Sequence, residues 1–187
     1  MHKLVIKEIG KNLRKDVLVQ IVGNRSTVER FFEYSQDQGG WEHGLFLVDL
    51  DDRLSHHSSE QGFVQLNKYC MENYFLNPRV CAAVLGGTEE EAFESICRIA
   101  IDRRGAIAHD KRRMNYFFDK LEIDGDLDTF LSYVDAKKIL KQMREASGID
   151  LDVFVREYVT YCHTNSLMKQ VLPTQVVELI NDLPDHE

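Results

Sequence analysis

The sequence predicts an α/β fold, with a mostly parallel sheet flanked by helices in the first half and an all-helical second half. Short apolar runs bounded by polar turns recur before residue 87, which is typical of strands. One run, Leu45 to Val48, is apolar at every position, as in a strand that is buried on both faces. After residue 88 the apolar residues recur at helical spacing instead.

The predicted strands all lie in the first half, at residues 3–9, 17–22, 45–49 and 63–67. The turn between the first two is too short for a crossover helix, so as neighbours they would pair antiparallel. The order strand, helix, strand from 17–22 to 45–49 implies parallel pairing within one sheet.

Side chains that cap helices predict where the helices begin. Ser26 with Glu29, and Thr88 with Glu91, have the spacing of a capping box. Further helix starts are predicted at Asn77-Pro78, Asp135, Asp150 and Pro173-Thr174. We therefore expect residues 1–87 to form an α/β core and residues 88–187 a helical extension packed on it.

Composition is that of an ordinary globular protein, with 43% hydrophobic and 29% charged residues in a chain of 187. No apolar run approaches the ~20 residues of a membrane span, and the basic start is not followed by a signal-peptide core. We expect a cytoplasmic protein without a membrane partner. The four cysteines are far apart and form no CxxC pair, so we interpret them as buried thiols.

Acidic residues follow the predicted strand 45–49. Side chains alternate along an extended chain, so Asp49 and Asp51 project to the same side. Like charges that close repel unless a cation lies between them, which favours a site for Mg2+ or Mn2+. The competing interpretation is a solvated acidic turn. Because parallel sheets bind ligands beyond the carboxyl ends of their strands, the position favours the metal site.

Two other groups of polar residues bear on function. Glu72 lies in an otherwise apolar and aromatic run and needs a metal or an arginine as partner. His56 and His57 are adjacent in a polar stretch, and we expect both to be exposed loop residues that do not face one ion.

The net charge of −8 argues against a general nucleic-acid coat protein, which would need a basic surface. It does not exclude a nuclease with clustered basic residues. Such a cluster, predicted to contact nucleic acid, consists of Arg103, Arg104, Lys111, Arg112 and Arg113.

Three segments in order, residues 19–28, 46–52 and 69–78, resemble the Toprim-like domains that accompany ABC-type ATPases, including the overcoming-lysogenization-defect nucleases and related anti-phage systems. Residues 135–143 look like a later helix of that family. The resemblance implies a Toprim fold, one or two divalent metals, cleavage of phosphodiesters in DNA or RNA, and an ABC-type ATPase encoded separately or upstream. A homo-oligomer is left open. Asp49 and Asp51 match the family's D-x-D, and Glu72 lies in its E-N-Y segment.

One departure concerns the family's catalytic glutamate, which lies in a V-E-G motif at the end of a strand. Here that strand reads Ile21-Val22-Gly23, and the closest glutamate is Glu8. Glu8 acts as a catalytic residue with Asp49 and Asp51 if the domain is shortened. Alternatively, the chain is a fragment, or it is a degenerate domain that serves as an interaction or sensor module.

A second nuclease class has a different signature. Arg104 and His109 resemble the R-x4-6-H motif of HEPN ribonucleases, which cleave RNA without metal. A helical second half suits that family. The competing explanation is a basic helix end, where positive charge favours the helix dipole.

Overall fold

The computed structural model describes residues 1–39, 44–50, 54–102, 131–132 and 134–183. This part of the chain is mostly helical, and its two short strands form a parallel pair. The strands are β1 Phe46–Val48 and β2 Phe63–Gln65. The described helices, numbered in chain order, are α1 His2–Leu13, α2 Arg25–Asp37, α3 Pro78–Leu85, α4 Glu89–Asp102, α5 Ala136–Ser147, α6 Leu151–Thr164, α7 Met168–Val171 and α8 Thr174–Asn181. A 3-10 helix, Met71–Phe75, precedes α3.

The strand pair lies between α2 and the other helices. Residues of β1 alternate between two faces, as extended chains require. Phe46 and Phe63 face α2, with the Phe32 ring centroid 5.3 Å and 5.1 Å from theirs. On the opposite face, Leu47 and Val64 pack against the main core. Both faces of β1 are covered, which confirms the strand predicted from its unbroken apolar run.

The main core contains buried residues from every described helix except α2. At its centre the Phe75 ring lies 4.5 Å from that of Tyr158 and 6.2 Å from that of Phe154. Phe75 belongs to the 3-10 helix, whereas the other two belong to α6. The 3-10 helix therefore packs against α6, which belongs to the second half of the chain that was predicted to be helical.

The predicted strands at 3–9 and 17–22 are wrong. Residues 3–9 belong to α1, which buries Val5, Ile6 and Ile9, the spacing of one helical face. Residues 17–22 have no regular secondary structure, and the side chain of Leu18 is 95% exposed. High strand propensity is insufficient there because no neighbouring strand supplies hydrogen bonds in the described structure.

Several predicted helix starts are confirmed by their hydrogen bonds. The backbone N–H of Thr88 donates to Glu91 Oε2 at 2.7 Å, and that of Glu91 donates to Thr88 Oγ1 at 3.2 Å. Asn77 caps α3 and Asp135 caps α5, each through its side-chain oxygen. Local side-chain chemistry is thus sufficient to start these helices.

The predicted capping box of Ser26 and Glu29 is wrong. Asn24 is the N-cap of α2, and its Oδ1 accepts from the backbone N–H of Thr27 at 3.1 Å. Glu29 instead accepts a hydrogen bond from Ser55 Oγ at 2.7 Å. The Glu29 side chain therefore makes a tertiary contact instead of the capping contact that the local pattern predicts.

All four cysteines are free thiols, as predicted. Three are buried, and Cys97 is half-buried. None of the described helices has the length and apolar character needed to cross a membrane.

The Tyr158 hydroxyl offers a test of the contact between α6 and the segment before α3. It donates to the Tyr74 carbonyl at 3.0 Å and accepts from the Asn77 backbone N–H at 3.3 Å. Tyr158→Phe leaves both buried groups without this partner, so we expect about 1–3 kcal/mol less free energy of unfolding, measured by urea denaturation. Tyr34→Phe, at a site 61% exposed, should change it by under about 0.5 kcal/mol. Equal effects of the two substitutions would contradict this assignment.

Candidate functional site

Asp49 follows β1 directly and connects three segments of the chain. Its Oδ1 lies 2.9 Å from Nε2 of His2, in the first turn of α1. The same oxygen accepts a hydrogen bond from the backbone N–H of Met71, the first residue of the 3-10 helix, at 3.1 Å. Both contacts with described residues use Oδ1, so Oδ2 has no such bond. Contacts with described residues therefore orient the Asp49 carboxylate through Oδ1 alone.

Glu72, the next residue in the 3-10 helix, is a second carboxylate of this site. Its Oε2 is buried and has no hydrogen-bond partner among the described residues. Burial raises the pKa of the neighbouring Cys70 thiol, and the negative charges of Glu72 and Asp49 raise it further. Both carboxylates therefore lie close enough to Cys70 to act on the same group.

Lys137, in the first turn of α5, is a cation whose pKa responds to these acids. Burial works to lower its pKa, but the attraction of Glu72, and after it that of Asp49 and Asp135, raises it overall. The Lys137 side chain is nevertheless exposed. The sequence predicts a metal or an arginine as the partner of Glu72, and among the described residues its charge acts on a lysine, Lys137.

Asn73 fixes the segment that carries Glu72. Its side chain is 1% exposed, and its Nδ2 donates to the carbonyls of Leu131 and Val134, each at 2.8 Å. Its Oδ1 accepts from the backbone N–H of Cys70 at 3.0 Å. The hydrogen bonds hold the 3-10 helix against the chain that enters α5, which brings Glu72 and Lys137 into one region.

Arg25, the first residue of α2, contacts the chain at the carboxyl end of β1. Its guanidinium donates to the backbone carbonyls of Asp49 and Leu50, the latter at 2.9 Å. Arg25 thus ties the chain that follows β1 to α2. No protein-family model, curated protein or solved structure matches this chain.

Most of the remaining predicted site residues lie outside the described part of the chain, and Glu8 lies on α1. Asp51 lies outside the described residues, as do His109 and the whole basic cluster of Arg103, Arg104, Lys111, Arg112 and Arg113. Glu8 lies on α1, 4.0 Å from Lys11 Nζ, and its Oε2 is buried without a hydrogen-bond partner in the described structure. It is six residues from His2, about 9 Å along the helix axis. The strand on which its catalytic role was predicted is absent, and that role stays a prediction.

One cluster of side chains, formed by Glu33, His56 and His57, was not predicted from the sequence. We expected His56 and His57 to be exposed, which is correct for His56 but wrong for His57, whose side chain is 10% exposed. Both rings turn towards Glu33 of α2. One feature of the sequence pointed to a polar site on α2. Arg25, Glu29 and Glu33 are spaced four residues apart, which puts three charged residues on one face of the helix.

The Asn73 hydrogen bonds can be tested by substitution. Asn73→Ala leaves the Leu131 carbonyl and the Cys70 N–H without this partner, and the Val134 carbonyl keeps only its bond from the Ala136 N–H. We therefore expect the free energy of unfolding to fall by about 2–3 kcal/mol in urea denaturation. The matched control is Asn165→Ala, because Asn165 is exposed and its Nδ2 donates to one carbonyl, that of Tyr161. The control should lose under about 0.5 kcal/mol. A loss in Asn73→Ala no larger than in the control would exclude this role.

Proposed function

We propose that this chain is a Toprim-like, divalent-metal-dependent nuclease that hydrolyses phosphodiester bonds in DNA or RNA. Asp49 and Glu72 would be metal ligands, with Asp51 a third. The observation that carries the proposal is the buried Glu72 Oε2, which lacks a hydrogen-bond partner among the described residues. A buried carboxylate oxygen in that condition is costly unless a cation satisfies it.

The acids of this site favour a hard metal ion. Asp49 and Glu72 come from different segments, yet both act on Cys70 and on Lys137. A divalent ion between them would bring both carboxylates into one coordination shell. Oxygen ligands are those that Mg2+ and Mn2+ prefer. The donor set therefore fits the predicted ions.

Lys137 is the alternative source of positive charge. Asp135 is already paired with Lys138, whose Nζ lies 3.0 Å from Asp135 Oδ2. Lys137 is therefore one ammonium group that acts on two further acids, Glu72 and Asp49. Glu72 Oε2 also makes no hydrogen bond to it. We infer that Lys137 supports the site from its exposed side, where an ammonium group can contact a phosphate.

Each residue of the proposed site has a separate role in phosphodiester hydrolysis. A bound metal would supply an activated water and polarise the phosphoryl oxygen. His2 and the Met71 N–H orient Asp49 through Oδ1, which directs Oδ2 towards a ligand. Asn73 holds Glu72 in place, and Lys137 neutralises phosphate charge. The basic cluster from Arg103 to Arg113 would bind the rest of the polyanion.

A metal-binding interaction module is the second candidate. The sequence has Gly23 where the resembled family has its glutamate, and Glu8 belongs to a helix. Without a glutamate at position 23, and with a helix where the strand of Glu8 was predicted, this candidate binds metal without cleavage. In either case the expected partner is an ABC-type ATPase encoded separately or upstream, which follows from the resemblance.

Calorimetric titration with Mg2+ and Mn2+ tests the metal site. We expect the wild type to bind metal and Asp49→Asn/Glu72→Gln to lose binding, because both ligands become neutral amides of similar size. The matched control, Glu145→Gln/Asp152→Asn, removes the same charge from exposed positions and should bind as wild type does. Failure of the wild type to bind either ion, or equal loss in the control, would refute the site.

Cleavage of DNA and RNA substrates then separates the candidate functions. A nuclease of the proposed kind loses cleavage on metal chelation and in Asp49→Asn/Glu72→Gln. Metal binding without cleavage identifies the interaction module. Cleavage of RNA that survives chelation and is lost in Arg104→Ala and His109→Ala would instead establish the metal-independent ribonuclease.

A further inference from the structure

A second cluster of potential ligands lies on the other side of the strand pair. It consists of Glu33 on α2 and the adjacent His56 and His57 in the turn that leads to β2. Glu33 Oε1 lies 3.1 Å from His57 Nε2 and 3.6 Å from His56 Nε2. The three ligand atoms all lie within 4.8 Å of one another.

We propose that Glu33, His56 and His57 bind a first-row transition metal ion, with Zn2+ the best fit. Two imidazole nitrogens and one carboxylate oxygen form a donor set that suits zinc. In a tetrahedral site with metal–ligand bonds of ~2.0–2.1 Å, neighbouring ligand atoms are about 3.3–3.4 Å apart. The two distances from Glu33 Oε1 lie on either side of that value, so small side-chain movements suffice to admit the ion.

The surroundings of His57 support a ligand role. Its Nδ1 lies 2.6 Å from Glu60 Oε1, which leaves Nε2 directed at the cluster. Such a carboxylate behind a histidine is common at zinc sites, where it fixes the ring orientation. The ring also packs against Phe32 and Phe63, with centroids 5.1 Å and 5.6 Å away. His57 is therefore held in the orientation that metal binding requires.

An ion-pair network without metal is the competing interpretation. A proton on His57 Nε2 would satisfy Glu33, and the second imidazole would then have no necessary role. The rings of His56 and His57 lie only 3.8 Å apart, so two protonated rings would repel each other. A single metal ion accounts for the convergence of both nitrogens on one carboxylate oxygen.

The site is open to solvent on one side. The side chains of His56 and Glu33 are 71% and 51% exposed. With three protein ligands, this leaves a position for water or an external ligand, unlike closed structural zinc sites. Glu33 lies eight residues beyond Arg25, about 12 Å along α2, so the site is separate from Asp49.

Zinc titration of the full chain against a competing chromophoric chelator tests the proposal. We expect the wild type to bind one zinc ion, and Glu33→Gln and His56→Ala each to lower the affinity at least ~10-fold. Both substitutions alter exposed side chains, so the fold should be retained, as circular dichroism would verify. Glu60→Gln should weaken binding ~10–100-fold through the orientation of His57.

Two control variants make the result specific. His163→Ala removes an exposed histidine of α6, and Asp49→Asn/Glu72→Gln removes the acids of the proposed nuclease site. Both should bind zinc as the wild type does, so this proposal and the nuclease proposal can fail separately. It is overturned if the wild type binds no zinc, or if Glu33→Gln and His56→Ala bind it unchanged. Thiolate charge-transfer absorption with Co2+ would also overturn it, because the ligands would then be cysteines.

Discussion

The side chain of Asn73 is the contact on which the arrangement of the chain depends. It lies buried between the strand pair and the helices of the second half, where a polar group must find all its partners within the protein. It does so by bonding to Leu131 and Val134 on one side and Cys70 on the other. Residues far apart in sequence are thereby held at one place.

This contact also sets the register of the acidic site. With the 3-10 helix fixed, the backbone N–H of Met71 donates to Asp49, and the charge of Glu72 acts on Cys70 and on Lys137 of α5. The positions of the proposed metal ligands thus depend on hydrogen bonds made by Asn73, which is not itself a proposed ligand. In proteins generally, supporting residues of this kind hold a site within the narrow tolerance that metal ligands need.

Local chemistry made part of the fold predictable. The capping residues Thr88, Asn77 and Asp135 act within three positions of themselves, so sequence alone identifies them. The apolar run of β1 was equally direct, since both faces are buried. Residues 3–9 were misassigned because a short apolar run fits a strand as well as one face of a helix, and tertiary packing decides between them. Ser26 failed as a cap because Asn24, two positions earlier, has the required extended backbone.

The two candidate sites differ in how much of each could be predicted from the sequence. Asp49 was proposed from its place, with Asp51 two positions on, at the end of an apolar strand, and Glu72 from its charge within an apolar run. Lys137 was not, since its approach depends on the packing of α5 against the 3-10 helix. The cluster at Glu33 was missed because adjacent histidines converge only when a turn bends the backbone between them. Regular-structure periodicity cannot represent such a turn.

The division of apolar residues into two cores has a consequence for cooperativity. Phe32, Phe46, Val48 and Phe63 form a small core under α2, apart from the main one. Local unfolding that detaches α2 from the strand pair therefore leaves the helical core intact and costs less free energy than global unfolding. Glu33 is carried by α2, whereas its histidines belong to the turn before β2. An ion bound there would stabilise the docked state of α2 in particular, and the docked fraction would in turn scale the apparent affinity for the ion.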